Sequence, residues 1–370
     1  KAGRNISSIA QEIKTTRERK DDFVVPGGLL RLDGGGDQLA LMRDSAGNVQ
    51  DHFRLTDTAH GCLSSRLNIP KSYYDRMRTE APELLSWNVN NWLADSKRHL
   101  VRTLNPAKHP LAPLGESQPV DGPATCRAIL SERYKIIDND LVMERLFPIL
   151  QEQVGMEVVS SEITETKFYL KARFPAMERE IKLNDPVQAG VVITNSEVGS
   201  GSISVALLIY RLRCLNGMVL ADEAFKVRRA HLGGVLETGG DFRIAASTET
   251  QRLADEAFIS SLKDAVRLGA DPDVFVEICD KLMAAGEQEI EGNVEQAIEN
   301  VTDRFGLTES EGESVLENLI RDGDYSKWGV ANAVTRTSQG VESYDRASEL
   351  ERLGGNIIDL TEKNWLALAA

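Results

Sequence analysis

The chain has 370 residues, of which 41% are hydrophobic and 27% charged, a composition typical of folded globular proteins. Its apolar runs are shorter than the roughly 20 residues of a membrane helix, and its start lacks the apolar core of a signal peptide. The four cysteines are widely spaced and share no CxxC motif, which argues against a zinc site or a disulfide framework. We therefore expect a cytoplasmic protein that makes no contact with membranes.

The net charge of −14 is concentrated in one part of the chain. Residues 236–370 contain 28 acidic and 12 basic side chains, whereas the preceding residues are nearly neutral and rich in arginine. Net charge alone argues against nucleic-acid binding, but this distribution permits a basic surface in the first two thirds of the chain.

Residues 1–104 are predicted to form an N-terminal α/β region. Short apolar runs between 23 and 50, separated by glycines, indicate short strands. Residues 56–80 indicate two helices around a tight turn, because Asn68 tolerates a left-handed backbone and Pro70 blocks continuation of the first helix. This pattern resembles a helix-turn-helix whose second helix offers three cations to phosphates: Lys71, Arg76 and Arg78. A plain helical hairpin with solvated charges is the alternative.

Aromatic and basic residues lie close together after these helices. Trp92 is followed by Lys97, Arg98 and Arg102. Such a segment can bind single strands, because bases stack on aromatic rings while cations contact phosphates. The alternative is that its tryptophans belong to the core.

A proline-rich stretch at 105–123, predicted to be a linker or exposed loop, precedes a central antiparallel sheet at 124–246. We predict a strand at 126–130, a helix at 139–151 and two strands between 157 and 174. Alternation in the second of these strands places four side chains on one face: Lys167, Tyr169, Lys171 and Arg173. This basic, aromatic face is a candidate for nucleic-acid contact, and a solvated sheet face is the alternative.

The densest strand pattern lies between Gln188 and Leu220. Apolar runs at 191–193 and 203–212 flank a polar connection that contains Gly199 and Gly201, and this arrangement predicts an antiparallel hairpin. Aromatic and basic side chains in and after the hairpin are predicted to line one groove that contacts bases and phosphates: Tyr210, Arg211, Arg213, Lys226, Arg228 and Arg229.

Residues 247–370 are predicted to form an acidic region of seven helices. Thr308 and Glu311 have the spacing of a capping box, and Pro272 suits the first position of a helix. This region could pack on the sheet, mediate assembly or mimic nucleic acid.

The motifs of several enzyme classes are missing from the sequence. It contains no Walker motif, no HExxH, no GxSxG and no kinase signature. The Asp138-Asn139-Asp140 run could contact a hard cation, but it is more typical of a turn or helix cap. We therefore predict a protein that is not an enzyme, with no catalytic residues, no cofactor and no metal.

Four blocks of sequence resemble a family of phage- and plasmid-like proteins of unknown function. They are AHGCLSSRLNIPKSYYDRMRTEAPELLSWNVNNWL, RAILSERYKIIDND, VVITNSEVGSGSISVALLIYRLRCLNGMV and YSKWGVANAVTRTSQGVESYDRASELERLGGNII, and the resemblance extends over residues 50–360. Cys62 and the stretch at 105–123 depart from the family pattern.

The resemblance implies a context more than a reaction. Proteins of this kind are carried by phages, plasmids and integrative elements, among DNA replication and recombination functions. A remote similarity to Rad52-like single-strand annealing proteins would add a β-sheet packed by a helix, assembly into rings or filaments, and activity without a nucleotide.

We therefore predict an α+β protein with a central antiparallel sheet, helices, and an acidic all-helical C-terminal region. The first hypothesis is a homo-oligomeric protein of a mobile element that binds, and can anneal, single-stranded DNA in recombination. Double-stranded DNA is the second possible ligand. The alternative is a non-enzymatic interaction protein, anti-defence or structural, whose acidic helices bind a host protein. A metal-dependent enzyme on nucleic acid ranks last, because no cluster of ligands is visible in the sequence.

Overall fold

The computed structural model describes residues 3–44, 48–94, 97–106, 124–220 and 248–369. It also gives the backbone of three short strands: β12 (Val227–Arg229), β13 (Val235–Leu236) and β14 (Ile244–Ala245). Most of the proline-rich stretch lies outside the described residues. So do Lys226 and the side chains of Arg228 and Arg229, which we predicted to contact DNA.

A six-stranded sheet forms the N-terminal unit. Its strands are β1 (Phe23–Pro26), β2 (Leu30–Leu32), β3 (Gln38–Met42), β4 (Val49–Leu55), β5 (Arg98–Leu104) and β6 (Thr125–Ser131). Their order is β1-β5-β6-β4-β3-β2, with β4 and β6 parallel and the other pairs antiparallel. We predicted β6 as part of the central sheet, but it pairs with β4 and β5, because Cys126 and Ile129 are buried in the core of the N-terminal unit.

Three helices pack on this sheet: α2 (Asp57–Arg66), α3 (Lys71–Glu80) and α4 (Pro82–Ala94). Thr56 caps α2 by accepting a hydrogen bond from the Ala59 backbone, and Asn68 has a φ of 54° in the turn before Pro70. The predicted helical hairpin is therefore confirmed. Its buried side chains include Leu63 of α2 and Tyr74 of α3.

The central sheet is fully antiparallel and contains the predicted hairpin. Its strands are β7 (Glu157–Ile163), β8 (Phe168–Lys182), β9 (Asp185–Asn195), β10 (Ile203–Arg211) and β11 (Asn216–Leu220), in the order β11-β10-β9-β8-β7, and β12 also pairs with β10. One face, here called the inner face, is apolar on every strand and belongs to the largest core of the molecule. Helices α1 (Ile6–Arg19) and α5 (Asn139–Gln151) contribute to that core, α5 with the bounds predicted from sequence.

Seven helices follow, as predicted: α6 (Thr248–Gly269), α7 (Pro272–Glu287), α8 (Val294–Phe305), α9 (Glu309–Asp322), α10 (Lys327–Thr337), α11 (Tyr344–Ile358) and α12 (Glu362–Ala369). The capping box at Thr308 and Glu311 and the proline at the start of α7 are both confirmed. The α+β class is confirmed as well. Within the described ranges, no helix combines the length and the apolar character that crossing a bilayer requires.

Glu197, in the connection between β9 and β10, joins the two sheets. Its carboxylate pairs with Lys20 at 2.9 Å and with Arg127 of β6 at 2.8 Å, and accepts the Asn139 N–H at the start of α5. Burial alone would raise the pKa of this carboxyl, but Lys20, Arg127 and the Asn139 N–H lower the pKa to about 2. The fully buried Arg102 donates to the Glu197 carbonyl oxygen and extends the network.

The same connection presses against β6 at Gly199. This residue has a φ of 81°, and a Cβ atom added there would lie 2.7 Å from Leu130 Cδ2. Only glycine meets both conditions without strain.

We expect Gly199→Ala to lower the free energy of unfolding by more than Gly155→Ala does. Gly155 has a similar φ of 71° but no atom within 4 Å of an added Cβ, so that variant isolates the backbone cost of about 1 kcal/mol. Urea denaturation of the two variants measures the difference, which reports the contact with Leu130. Equal losses would show that the connection is not tightly packed.

Two buried histidines make stability depend on pH. His60 Nδ1 lies 2.9 Å from the Tyr74 hydroxyl, and its buried Nε2 has no hydrogen-bond partner among the described residues. Burial, followed by the charge of Arg78, lowers the pKa of His60 to about 4. Burial, followed by the charge of Arg66, lowers the pKa of His99 to about 4 as well.

Stability should therefore fall as the pH drops from about 6.5 to 4. Both histidines remain neutral in the folded state through this window, whereas the unfolded chain binds protons near pH 6.5, so protonation favours unfolding. Urea denaturation at pH 7.5 and pH 5 measures the loss, and NMR titration of the ring resonances identifies the groups. Ring titration near pH 6.5 in the folded state would contradict the assignment.

Candidate nucleic-acid interface

The outer face of the central sheet, opposite the core, carries the predicted basic and aromatic side chains of β8. Tyr169, Lys171 and Arg173 alternate with the inner-face residues along the strand, as a pleated strand requires. Their register neighbours on β9 are Thr194, Val192 and Gly190. The predicted face therefore exists as a set of adjacent positions.

Helix α11 covers half of this face. Its first turn brings the Tyr344 ring to 5.2 Å from the Tyr169 ring, and the Tyr169 hydroxyl donates to Asp345 Oδ1 at 2.8 Å. Its later residues Gly354 and Gly355 lie against β11 at the other side of the sheet. Under this helix, Tyr169 is only 1% exposed and cannot stack on a base.

Lys171 is buried in an ion pair with the same helix. Its Nζ lies 2.5 Å from Glu351 Oε2 and 4.8 Å from the centre of the Tyr344 ring. Its side chain is 4% exposed and that of Glu351 is 2% exposed. We expected Lys171 to contact phosphate, but its ammonium group is buried and the carboxylate of Glu351 already neutralises its charge.

Beyond α11, the outer face stays open around Tyr210 of β10. The guanidinium of Arg173 lies 5.3 Å from the centre of the Tyr210 ring, a cation–π contact. On β9, the strand between β8 and β10, Gly190 is the register partner of Arg173 and Gln188 is that of Tyr210, so the contact runs diagonally across β9. Arg173 also pairs with Glu157 at 2.5 Å, and both Arg173 and Tyr210 are half-buried.

A cavity of about 460 Å³ adjoins this pair. It lies between β7, β8, β10, the β10–β11 turn and α11, and its lining includes Tyr210, Lys171, Glu351, Gln339 and Cys214. This volume is within the range of small-ligand pockets. The cavity therefore combines an aromatic ring, a buried cation and a buried carboxylate at one place.

Tyr210 and Cys214 remain in their neutral forms in the cavity near neutral pH. Burial raises the pKa of Tyr210, although Arg173 opposes the shift. Burial also raises the pKa of the Cys214 thiol, against the charge of the neighbouring Arg211. A thiol that stays protonated is a poor nucleophile, so these groups suit binding better than covalent chemistry.

Arg211 does not reach the outer face. It follows Tyr210, so the period of two places it on the inner side, where it pairs with Asp185 at 2.5 Å and Asp322 at 3.0 Å. Trp328 completes the site by donating from Nε1 to Asp185. Its side chain is 3% exposed, so the prediction that Arg211 lines an open groove with its neighbours is not met in this fold.

The remaining predicted contacts are dispersed. Arg213 is exposed in the β10–β11 turn, next to the cavity residues Cys214 and Leu215. Lys167 lies just before β8 beside Gly201, at the opposite end of the strand. On β12, the Cα of Arg228 is opposite Ser204 and that of Arg229 is opposite Ile203.

The cations of the N-terminal helices are engaged with carboxylates. Lys71 pairs with Asp75, Arg76 with Glu80 and Arg78 with Asp57, in each case on the surface. Trp92 is 45% exposed, as stacking on a base would require, but Arg102 is buried in pairs with Asp22 and Asp138. DNA reading by this hairpin stays a prediction.

The sequence did not point to the residues that close the outer face. Tyr344, Asp345 and Glu351 lie more than 170 positions after their partners on β8, and only the docking of α11 brings them together. The heptad-like spacing of Tyr344 and Glu351 was the one signal that they share a helix face. Within the part of the chain that the structure describes, no three His, Cys, Asp or Glu side chains form a metal-binding group.

Comparison with known proteins gives one match. A family model described as "Domain of unknown function (DUF932)" matches residues 128–352. This range begins in β6 and ends in α11, so it includes the whole outer-face site. Neither a curated protein nor a solved structure matches the chain.

The Lys171–Glu351 pair yields a stability prediction. Lys171→Met should destabilise the fold by about 3–5 kcal/mol, because it leaves the buried Glu351 carboxylate without its ammonium partner. The double variant Lys171→Met/Glu351→Leu should recover most of that loss. Urea denaturation of the single and double variants measures the coupling, and additive losses would contradict a buried pair.

Proposed function

The chain belongs to the family of the domain of unknown function DUF932, and for this member we propose single-stranded DNA binding on the open half of the outer face, without nucleotide hydrolysis. The observation that carries the proposal is the contact of Arg173 with Tyr210, a side chain that lines the cavity. An aromatic ring beside a guanidinium is the combination by which proteins hold unpaired bases and the phosphates between them.

In this proposal a base enters the cavity and stacks on Tyr210. Lys171 offers a hydrogen-bond donor and Glu351 an acceptor at the cavity wall, so the polar edge of a base would meet both kinds of group. Arg173 and the exposed Arg213 would contact the adjacent phosphates. Duplex DNA does not suit this cavity, because its bases are stacked and paired.

The wider setting of the proposal comes from the sequence. The resemblance to phage- and plasmid-borne proteins favours a role in the recombination functions of mobile elements. Strand annealing by a homo-oligomer is what the Rad52-like similarity adds. Residues 203–219, at the edge of the site, lie in the most distinctive block of the resemblance to phage- and plasmid-like proteins. The absence of a Walker motif from the sequence agrees with a process that needs no ATP.

Fluorescence anisotropy with labelled single- and double-stranded oligonucleotides across a salt series tests this function. Tyr210→Ala should weaken single-strand binding by about 5- to 150-fold, the range for loss of one stacked base, whereas Tyr210→Phe should retain it. Arg173→Ala should weaken binding and reduce the slope of log affinity against log salt by about one.

A matched control lies on the same strand. Arg179 of β8 pairs with Asp280 at 2.9 Å, away from the cavity, so Arg179→Ala removes an equal charge without touching the site. Its affinity should equal that of the wild type. Equal losses in the Arg173 and Arg179 variants, or no binding by the wild type at low salt, would refute the proposal.

A protein partner for the acidic helices is the second candidate. Ile320 of α9 is 56% exposed and Tyr325, which follows α9, is 40% exposed. Exposed apolar side chains on an acidic surface are typical of interaction sites. If the wild type fails to bind DNA, this surface becomes the leading candidate, and its test is co-purification of a partner that Ile320→Glu abolishes.

A further inference from the structure

A second site lies where the two sheets meet, beside the connection between β9 and β10. An inner chamber of about 50 Å³ is lined by Arg127, Asn139, Lys167, Glu197 and the Thr164–Thr166 turn. It shares Glu165, Thr166 and Val198 with a larger open cleft of about 700 Å³ between α2 and the β9–β10 connection. Chamber and cleft are therefore adjoining compartments.

Arg127 has donors that no described residue satisfies. Its Nη1 donates to Glu197 at 2.8 Å, but its Nε and Nη2 atoms are buried and without a hydrogen-bond partner among the described residues. An unsatisfied buried guanidinium edge costs free energy, and an acceptor in the chamber would remove that cost after a small rotation of the side chain. A ligand oxygen is the kind of atom that this edge lacks.

The size of the chamber selects among oxygen-bearing groups. With about 50 Å³, the chamber has room for a compact polyatomic group. A phosphate group has four oxygens arranged compactly around one atom.

The charges around the two compartments favour an anion. Their lining contains four cations and three carboxylates: Arg66, Lys71, Arg127 and Lys167 against Asp57, Glu165 and Glu197. The carboxylates are occupied, since Asp57 pairs with Arg78, Glu165 accepts from the Thr58 backbone and hydroxyl, and Glu197 pairs with Lys20. Lys71 and Arg127 are paired as well, with Asp75 and Glu197, but Arg66 and Lys167 form no ion pair with a described residue, in a chain whose net charge is −14.

The cleft can receive the organic part of the ligand. Its floor is apolar, with Cys62, Ile129, Leu130 and Val198, and Arg66 stands at its wall. The nearest partner of the Arg66 guanidinium is His99 at 3.4 Å, and burial keeps the pKa of His99 near 4, so that imidazole is neutral at pH 7. The volume of the cleft lies within the range of pockets for small organic molecules.

We propose that this junction binds a phosphate monoester, with the phosphate in the chamber against Arg127 and Lys167 and the organic part in the cleft. The site is independent of the outer-face interface, since the chamber and the cleft share no lining residue with the outer-face cavity. Two kinds of molecule carry such a phosphate monoester: a free nucleotide and a DNA strand with a 5′-phosphate.

Isothermal titration calorimetry with inorganic phosphate, adenosine 5′-monophosphate and adenosine tests the site. The monophosphate should bind more tightly than inorganic phosphate, and adenosine should not bind measurably. Competition by 5′-phosphorylated and unphosphorylated oligonucleotides then distinguishes the sources. Displacement by the phosphorylated strand alone identifies a DNA end, and displacement by neither identifies a free nucleotide.

Two variants and a control locate the binding. Arg127→Lys keeps a charge for Glu197 but loses the guanidinium edge, and Lys167→Gln leaves the Glu197 network intact; each should weaken monophosphate binding at least tenfold. Arg133→Gln removes an exposed cation just after β6 and should leave binding unchanged. Thermal melting confirms that each variant folds, and Tyr210→Ala should retain monophosphate binding.

Absence of phosphate-dependent binding by the wild type would overturn the proposal. So would equal affinity of the wild type and Lys167→Gln, the variant least connected to the core. Loss of monophosphate binding in Tyr210→Ala would show that the ligand binds at the outer face, and would also overturn the proposal. Failure of DNA binding leaves these outcomes unaffected, because the calorimetry uses small ligands.

Discussion

Glu197 holds the two sheets of this protein together through a carboxylate that is surrounded by cations. Lys20 comes from the segment after α1, Arg127 from the N-terminal sheet and the Asn139 N–H from the start of α5, so three distant segments converge on one side chain. The low pKa of the carboxyl keeps it ionised near neutral pH. The position of the β9–β10 connection, and with it the cleft at the junction, depends on this network.

The outer face shows how one sheet surface can serve both stability and binding. Helix α11 covers the half that contains Tyr169 and Lys171, and it binds there through polar contacts to Asp345 and Glu351. The uncovered half retains Arg173 and Tyr210, and a cavity lies between Tyr210 and α11. Polar side chains under a helix specify its position more narrowly than apolar packing does, because an unmet partner is costly.

Local pattern was a good guide to the elements and a poor guide to their surroundings. The helix at Asn139–Gln151, the β9–β10 hairpin and the seven C-terminal helices follow from periodicity and caps. The pairing of β6 with the first sheet did not follow from the sequence, because a buried strand has the same apolar pattern in either sheet. Two of the predicted DNA contacts, Lys171 and Arg211, are instead buried in ion pairs. Local sequence pattern could not indicate these pairs, because the carboxylate partners lie far away in sequence.

The sequence by itself determined which segments are helices and strands, and which side chains share a strand face, because both depend on interactions between residues a few positions apart. The period of two also puts Tyr210 and Arg211 on opposite sides of β10, which the prediction of one shared groove did not take into account. Only the tertiary structure decided which of these faces meets solvent. That outcome depends on where α11 and Glu351 dock, and docking is a sum of long-range contacts that no local pattern records.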